Sequence, residues 1–331
     1  MKRLLILHTG GTLGMVPETQ GGLRPGNAEG LFRYIPEAIE LADIDIQVLC
    51  NEDSANFQIG HWRRVASALE QSMEAYDGFV VIHGTDTMAY TASALSFMLT
   101  NLPKPVILTG AQRPIASIRT DAKSNLVEAL ELATYDIPEV ALHFNHRLLR
   151  GNRAKKLSID DFDAFASPNF PPLAEVGLNL EIREEALRRP TGLFRLQQDF
   201  SDKVLVLRLF PGMRPEHLLP LLDSEVRVFV IEAYGAGNVP IEEHSLLPFI
   251  ERATASGRLV ALCSQAVSGA VDLSIYESGR RAAELGAVSG SDMTVEAAVV
   301  KAMFLLGQYG DDVQRVRRWF GVAIAGELTT A

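Results

Sequence analysis

Hydrophobic positions in the first half of the chain form short apolar runs that alternate with longer, amphipathic segments. Short apolar runs between turn residues are typical of buried strands, and apolar residues three to four positions apart are typical of helices. The pattern predicts strands at 4–7, 44–49, 78–83, 106–109 and 140–144, and helices at 62–73, 87–99 and 121–133. This alternation predicts a parallel sheet with helices on both faces.

The same alternation returns after an irregular stretch over residues 147–182 and a charged, weakly periodic stretch over 184–202. Further strands are predicted at 204–209, 226–231 and 259–262, and further helices at 216–222, 244–255, 294–306 and 313–320. We therefore predict an α/β protein with a larger N-terminal parallel-sheet domain and flanking helices over residues 1–183. A linker over 184–202 then leads to a smaller C-terminal α/β domain over 203–331.

Composition narrows the class of protein. A chain of 331 residues with 47% hydrophobic residues can bury two cores. The formal net charge of -10 argues against a nucleic-acid partner, and Cys50 and Cys263 are too few for a disulfide framework. The apolar run 4–7 is too short for a signal peptide, and no run approaches the ~18 apolar residues of a membrane span. We expect a cytoplasmic protein without a membrane partner.

The first candidate for chemistry is the end of the first predicted strand, which reads LLILHTGGTLGM over residues 4–15. Ligands of open α/β sheets bind outside the carboxyl ends of the strands. Gly10 and Gly11 let the backbone adopt positive φ and approach a ligand, so Thr12 is a candidate nucleophile with backbone N–H groups nearby for an oxyanion. The alternative is an ordinary strand-to-helix turn with incidental threonines.

A second motif, HGTDTMAY over residues 83–90, lies at another predicted strand-to-helix junction. Two such strand ends in one parallel sheet face the same edge. Thr85 and Asp86 form a proton-handling unit if a base such as lysine lies within reach. The alternative for Asp86 or Thr87 is a helix cap, and His83 is interpreted as a polar strand-end residue bonded to the backbone.

The residues argue against two other kinds of site, a nucleotide-binding site and a metal site. Gly10, Gly11 and Gly14 do not form a dinucleotide fingerprint, and no Gly-Lys-Ser/Thr follows. His143 and His146 are three residues apart, so on a strand they point to opposite sides and do not form a metal site. We therefore expect neither a cofactor nor a metal ion.

The two motifs together resemble those of the bacterial L-asparaginases, specifically the cytoplasmic type I enzymes. The similarity runs in the same order from residue 3 to residue 328, and includes RGNR (150–153), FDAFASP (162–168), YGAGN (234–238) and MTVE (293–296). The resemblance implies hydrolysis of L-asparagine to L-aspartate and ammonia through an acyl-enzyme. Thr12 matches the attacking threonine of the family. A second catalytic triad of the family corresponds here to Thr85, Asp86 and Lys156. In that triad Lys156 accepts a proton through Thr85 and is held by Asp86.

The resemblance also implies a set of residues that contact the substrate. Ser54, which follows Asp53, matches the position that binds the α-carboxylate, and Asp86 pairs with the α-ammonium. Backbone groups near Gly11 and Thr85 are the candidate oxyanion donors. Asn238 resembles a position that reaches a neighbouring subunit, which implies a homodimer or a dimer of dimers. The full set of expected substrate-binding residues is Gly11, Asp53, Ser54, Gly84, Thr85, Asp86 and Asn238.

The chain departs from the family pattern in two places. The glycine-rich stretch 14–30 is the expected lid, but Gly22 stands where the family has a tyrosine that bonds the attacking threonine. The group that activates Thr12 therefore stays open. Glu232, Ser264 and Ala266 occupy positions at which some type I enzymes bind a regulatory asparagine. Because a carboxylate repels the α-carboxylate of asparagine, we predict no cooperativity through that site.

Alternative functions stay open at this point. One is an amidase acting on glutamine or a subunit of a tRNA amidotransferase; the latter often carries an N-terminal module, and here the first strand begins at residue 3. Another is a non-catalytic amino-acid sensor, which the missing lid tyrosine favours and the intact Thr12, Thr85, Asp86 and Lys156 disfavour. The preference for asparagine over glutamine rests on one methylene, worth only ~1–3 kcal/mol. It stays open, as does the choice between dimer and tetramer.

Overall fold

The computed structural model describes residues 1–17, 23–25 and 28–330, and the chain divides into two units, Met1–Gln198 and Asp199–Ala331. The boundary lies inside the segment 184–202 that the sequence predicts as a linker. Much of that segment belongs to the first unit, where Leu187 is buried in the core and a short strand at Arg195–Leu196 pairs with Leu99–Thr100. The first unit therefore continues past residue 183.

The first unit is built on a central sheet with helices and short turns around it. Its strands are β1 (Arg3–Gly10), β2 (Met15–Pro17), β3 (Leu23–Pro25), β4 (Asp43–Glu52), β5 (Gly78–Ile82), β6 (Leu99–Thr100), β7 (Val106–Thr109), β8 (Val140–Phe144), β9 (Arg147–Arg150), β10 (Lys155–Lys156), β11 (Phe165–Ala166), β12 (Ala174–Val176), β13 (Leu180–Ile182) and β14 (Arg195–Leu196). Its α-helices are α1 (Ala38–Leu41), α2 (Ile59–Ser72), α3 (Met88–Met98) and α4 (Ala122–Leu132). Short 3-10 helices lie at Thr12–Gly14, Ala28–Arg33, Ser54–Asn56, Gly151–Arg153 and Glu184–Ala186.

The central sheet has eight strands in the order β13-β12-β9-β8-β7-β5-β1-β4. β8, β7, β5, β1 and β4 are parallel, as predicted, and every residue of β5, β7 and β8 is buried. Strands covered on both faces read as continuous apolar runs, which is why the sequence pattern finds them.

At the other edge the predicted sheet continues into strands that the sequence pattern did not predict, since β9, β12 and β13 pair antiparallel. Residues 147–182 are therefore not irregular throughout. Asn145 and His146 both have positive φ (46° and 64°) and form a two-residue turn between β8 and β9. Such a turn favours a hairpin, but it most often carries Asn-Gly or Asp-Gly, so Asn-His hides it in the sequence. The first unit is a mixed α/β fold.

The second unit is a parallel α/β fold with strand order β15-β16-β17-β18. Its strands are β15 (Val204–Arg208), β16 (Val228–Ala233), β17 (Leu259–Ser264) and β18 (Val288–Ser289), and its helices are α5 (Leu247–Ala255), α6 (Glu277–Glu284), α7 (Val295–Tyr309) and α8 (Val313–Phe320). The helix predicted at 216–222 is a 3-10 helix over Pro215–Asp223. The sequence pattern misses β18 and α6; α6 buries only Gly279 and Ala282, so it has almost no apolar stripe.

Strand register brings the two motifs of the first unit to one edge. β1 lies between β4 and β5, with His8 opposite Ile82 in β5 and Gly10 opposite Glu52 in β4. The residues that follow all three strands therefore meet beyond the carboxyl end of the sheet. Within the residues described, no helix combines the length and apolar character needed to span a bilayer.

Candidate functional site

Two glycines allow the end of β1 to pack directly on the ends of its two neighbours, β4 and β5. Gly10 and Gly11 have φ of 118° and 85°, which side-chain-bearing residues rarely adopt. A Cβ on Gly11 would lie 2.5 Å from the backbone nitrogen of Gly84, and one on Gly10 would collide with the backbone of Glu52. Thr12 follows at once, half-buried, in the turn Thr12–Gly14. Because Thr12 directly follows Gly11, this close approach brings Thr12 to the second motif.

The end of β4 supplies the third side of the site. Asp53 begins the turn Ser54–Asn56, and its carboxylate accepts a hydrogen bond from Ala55 N at 2.9 Å. Ser54 is buried, and a Cβ on Gly84 would lie 2.6 Å from its Oγ. Four of the expected substrate-binding residues, Gly11, Asp53, Ser54 and Gly84, therefore lie at one place. The side chain of Asp53 is engaged in the local turn.

Lys156 reaches this edge from β10, far along the chain. Its Nζ lies 2.7 Å from Thr85 Oγ1 and 2.7 Å from Asp86 Oδ1. The Lys156 side chain is 17% exposed, whereas that of Asp86 is 64% exposed. The geometry joins a hydroxyl, an amine and a carboxylate, which is the arrangement needed to move a proton between Thr85 and Lys156.

The helix-capping alternative for the second motif does not describe these side chains. Thr87 occupies the N-cap position of α3, but its hydroxyl donates to Ser54 O at 2.8 Å and makes no capping bond. Asp86 pairs with Lys156 instead. The second motif therefore connects the ends of β4 and β5.

Gln112 is a neighbour of this cluster that the sequence reasoning missed. Its Oε1 lies 3.4 Å from Thr85 Oγ1, and its Nε2 donates to the carbonyls of Ser158 and Asp161. The buried carboxylate of Asp121 accepts the backbone N–H of Gln112 at 2.9 Å and so holds this turn. The sequence did contain a signal for Gln112, because this residue follows the buried parallel strand β7 at the edge of the sheet where the two motifs lie.

Two histidines beside the motifs are neutral at physiological pH. Burial lowers the pKa of His83 to about 4, with a smaller contribution from the nearby His61, against the opposing effect of a hydrogen bond with Gly84 O. Burial also lowers the pKa of His8, which lies beneath Gly14. Neither ring supplies a positive charge to the site.

The histidines rejected as metal ligands lie close together after all. β8 ends at Phe144, and the turn brings His146 Nδ1 within 2.8 Å of Glu128 Oε1, while His143 Nε2 lies 3.1 Å from Glu128 Oε2. Because His146 lies in the turn beyond β8, alternation along a strand does not separate this pair. A metal centre still does not emerge: the described part of the chain holds no group of three or more His, Cys, Asp or Glu side chains arranged for one.

Three further expectations concern Gly22, Asn238 and Glu232. Gly22 lies outside the described residues. Asn238 belongs to the second unit, where its Oδ1 accepts a hydrogen bond from Ser278 Oγ at 2.9 Å, so its role in a neighbouring subunit's site stays a prediction. Glu232 pairs with Arg208 at 2.9 Å, which offsets the repulsion expected from the carboxylate alone. The absence of cooperativity also stays a prediction.

Comparison with known proteins matches both parts of the chain. Residues 3–188 match the family model described as "Asparaginase, N-terminal", and residues 203–320 match "Glutaminase/Asparaginase C-terminal domain". The chain is 38% identical over 334 residues to L-asparaginase 1 of Escherichia coli K12, covering 99% of this chain and 98% of the relative.

Solved structures agree with this match. The thermostable L-asparaginase from Thermococcus kodakarensis has a TM-score of 0.93 at 35% identity, covering 99% of this chain and 100% of that one. L-asparaginase I from Vibrio cholerae has a TM-score of 0.90 at 36% identity, covering 99% of both chains.

Proposed function

Because the chain belongs to the asparaginase family of amidohydrolases, we propose that it hydrolyses L-asparagine to L-aspartate and ammonia through an ester on Thr12. The observation that carries this proposal is the contact of Lys156 Nζ with Thr85 Oγ1 and Asp86 Oδ1. Close packing of Gly11 on Gly84 brings the adjacent Thr12 toward the same motif. A threonine hydroxyl is a weak nucleophile and needs such a proton acceptor nearby.

The first step is acyl transfer to Thr12. Its Oγ1 attacks the side-chain amide carbon of asparagine, and the oxyanion that forms is stabilised by backbone N–H groups at Gly11 and Thr85. The C–N bond breaks, and ammonia leaves with the proton that the Thr12 hydroxyl gave up. In the second step water attacks the ester carbon, the Thr12 Oγ1–carbon bond breaks, and Thr12 regains a proton. Thr85 and Lys156 act as proton carriers in these steps.

Binding of the substrate is coupled to this proton transfer through Asp86. The α-ammonium of asparagine pairs with the Asp86 carboxylate, while Ser54 binds the α-carboxylate. Asp86 already pairs with Lys156 at 2.7 Å. Two cations on one carboxylate repel each other, and release of a proton from Lys156 relieves that repulsion. Bound substrate thus prepares the proton acceptor.

The proposal is tested by ammonia release from L-asparagine and L-glutamine, with Thr12→Ala and Lys156→Met beside the wild type. Lys155→Met is the matched control, since it removes the adjacent lysine of the same strand. We expect no turnover by Thr12→Ala, and a loss in kcat on the order of a hundredfold or more for Lys156→Met. Lys155→Met should stay within a few-fold of the wild type.

Two results would overturn the proposal: turnover retained in Thr12→Ala, or equal losses in the two lysine variants. No release from either amide, with asparagine still bound in calorimetry, would instead identify an amino-acid sensor. The ratio of kcat/KM for the two amides gives the preference that the sequence leaves open.

We propose further that the working form is a cytoplasmic homodimer or dimer of dimers in which Asn238 completes a neighbouring site. Co-expression of Thr12→Ala with Asn238→Ala tests this. A mixed dimer contains one site with an intact Thr12 and an intact Asn238, so activity returns above that of either variant alone. No recovery, with mixed dimers demonstrated by mass, would exclude a shared site.

A further inference from the structure

A buried chain of hydrogen bonds ends on the peptide bond between Gly84 and Thr85. Trp62 Nε1 lies 3.1 Å from Thr91 Oγ1, and Thr91 Oγ1 lies 2.9 Å from His83 Nε2. On the other side of the ring, His83 Nδ1 lies 2.7 Å from Gly84 O. Trp62, Thr91 and His83 are all buried, so no solvent competes for these bonds. The chain connects α2 and α3 to the strand end that carries Thr85.

The direction of each bond follows from the chemistry of the groups. A carbonyl oxygen can only accept, so the neutral ring of His83 carries its proton on Nδ1, donates it to Gly84 O and keeps Nε2 as an acceptor. The Thr91 hydroxyl then donates its proton to His83 Nε2 and accepts from the indole N–H of Trp62, which can only donate. The ring of Phe57, 4.3 Å from that of His83 between centroids, packs against the imidazole. His83 is thus held in one tautomer and one orientation.

Fixing the Gly84 carbonyl also fixes the N–H of Thr85. The structure contains no cis peptide bond in the residues described, and in a trans peptide the C=O and N–H point to opposite sides. With the carbonyl held toward the buried ring, the Thr85 N–H is turned away from it. The flexible glycine at position 84 offers little resistance to rotation of this peptide, so the bond to His83 is what opposes a flip.

We propose that His83, oriented by Thr91 and Trp62, is a positioning residue that aims the Thr85 N–H at the oxyanion of the reaction. The proposal rests on the proposed acyl transfer. His83 does not touch the substrate and acts only through the Gly84–Thr85 peptide. The sequence identifies His83 only as a polar strand-end residue that bonds to the backbone. The carbonyl to which it bonds belongs to the Gly84–Thr85 peptide, and the N–H of that same peptide is the oxyanion donor.

The decisive pair of variants is Thr91→Val and Thr91→Ser. Valine keeps the shape but removes the hydroxyl that donates to His83 Nε2 and holds the ring in its tautomer and orientation, whereas serine keeps the hydroxyl. Because an oxyanion contact exists only in the transition state, its loss lowers kcat rather than raising KM. We expect Thr91→Val to lose on the order of ten- to a hundredfold in kcat, with KM for asparagine within about threefold. Thr91→Ser should recover kcat to within about threefold of the wild type.

A second measurement tests the chain without turnover. Nitrogen-15 NMR of the imidazoles in the wild type should show His83 protonated at Nδ1 and unprotonated at Nε2, and Thr91→Val should show loss of this single tautomer. If the wild type did not hydrolyse asparagine, the proposed function would fail, but the NMR measurement would still test the chain of hydrogen bonds through His83. A proton on Nε2 in the wild type, an unchanged kcat in Thr91→Val, or equal kcat losses in both variants would overturn the inference.

Discussion

Replacing His83 by asparagine should make the first unit less sensitive to acid. The pKa of His83 is lowered to about 4 from the ordinary value of 6.5, chiefly because burial disfavours the charged ring. Between these two pH values the unfolded chain binds a proton at position 83 and the folded chain does not. The free energy of unfolding therefore rises with pH across this window and falls as pH is lowered through it.

The size of the effect follows from the shift in pKa. Each pKa unit corresponds to about 1.4 kcal/mol, so the full shift is worth roughly 3 kcal/mol once the pH is below 4. Between pH 7 and pH 5, linkage gives a loss of about 2 kcal/mol from this one ring. The titratable groups around the ring are His61, whose charge also disfavours protonation of His83, and Glu52, which lies 3.7 Å from His61.

Urea unfolding at pH 7 and pH 5 measures this contribution. Trp62 is buried beside His83, and replacing the second tryptophan by Trp319→Phe leaves Trp62 as the fluorescence reporter of the first unit. The His83→Asn variant is compared with its parent in this background, so all other titrating groups cancel. We expect the parent to lose about 2 kcal/mol more than the variant between the two pH values. Equal losses in the two proteins would refute the reasoning.

Two further predictions concern the stability of the fold, one through backbone packing and the other through a buried ion pair. Gly11→Ala forces a Cβ to within 2.5 Å of the Gly84 nitrogen at a φ of 85°, so we expect a loss of stability of at least ~2 kcal/mol by thermal denaturation, together with loss of turnover. Lys301→Met leaves the buried Glu327 carboxylate without its cationic partner, and we expect it to cost about 3–5 kcal/mol. Adding Glu327→Gln should recover part of that loss in chemical denaturation, because the unpaired charge is then gone; a double variant less stable than Lys301→Met would contradict this.

The sequence alone determined the parallel core and the two motifs at its edge. The strands predicted at 106–109 and 140–144 are observed with those bounds, and so is the helix at 313–320. For the two strands the reason is that a strand covered on both faces is apolar at nearly every position, a signal contained within a few residues. Because ligands bind beyond the carboxyl ends of parallel strands, the sequence also indicated Thr12 and Thr85 as candidate site residues.

Contacts between distant residues were decided only by the tertiary structure. From its sequence neighbours, Lys156 reads as one of two solvated lysines, and only the family resemblance singled it out; the fold brings it to Asp86 across 70 positions. The antiparallel edge depends on two positive-φ residues that carry no strong turn signal, and Gln112 joins the site through β7. The tautomer of His83 depends on Gly84 O and on Thr91 in α3, whose hydroxyl is oriented by Trp62 in α2. Periodicity is a local property of the chain, whereas the partner of each polar side chain depends on how the elements pack.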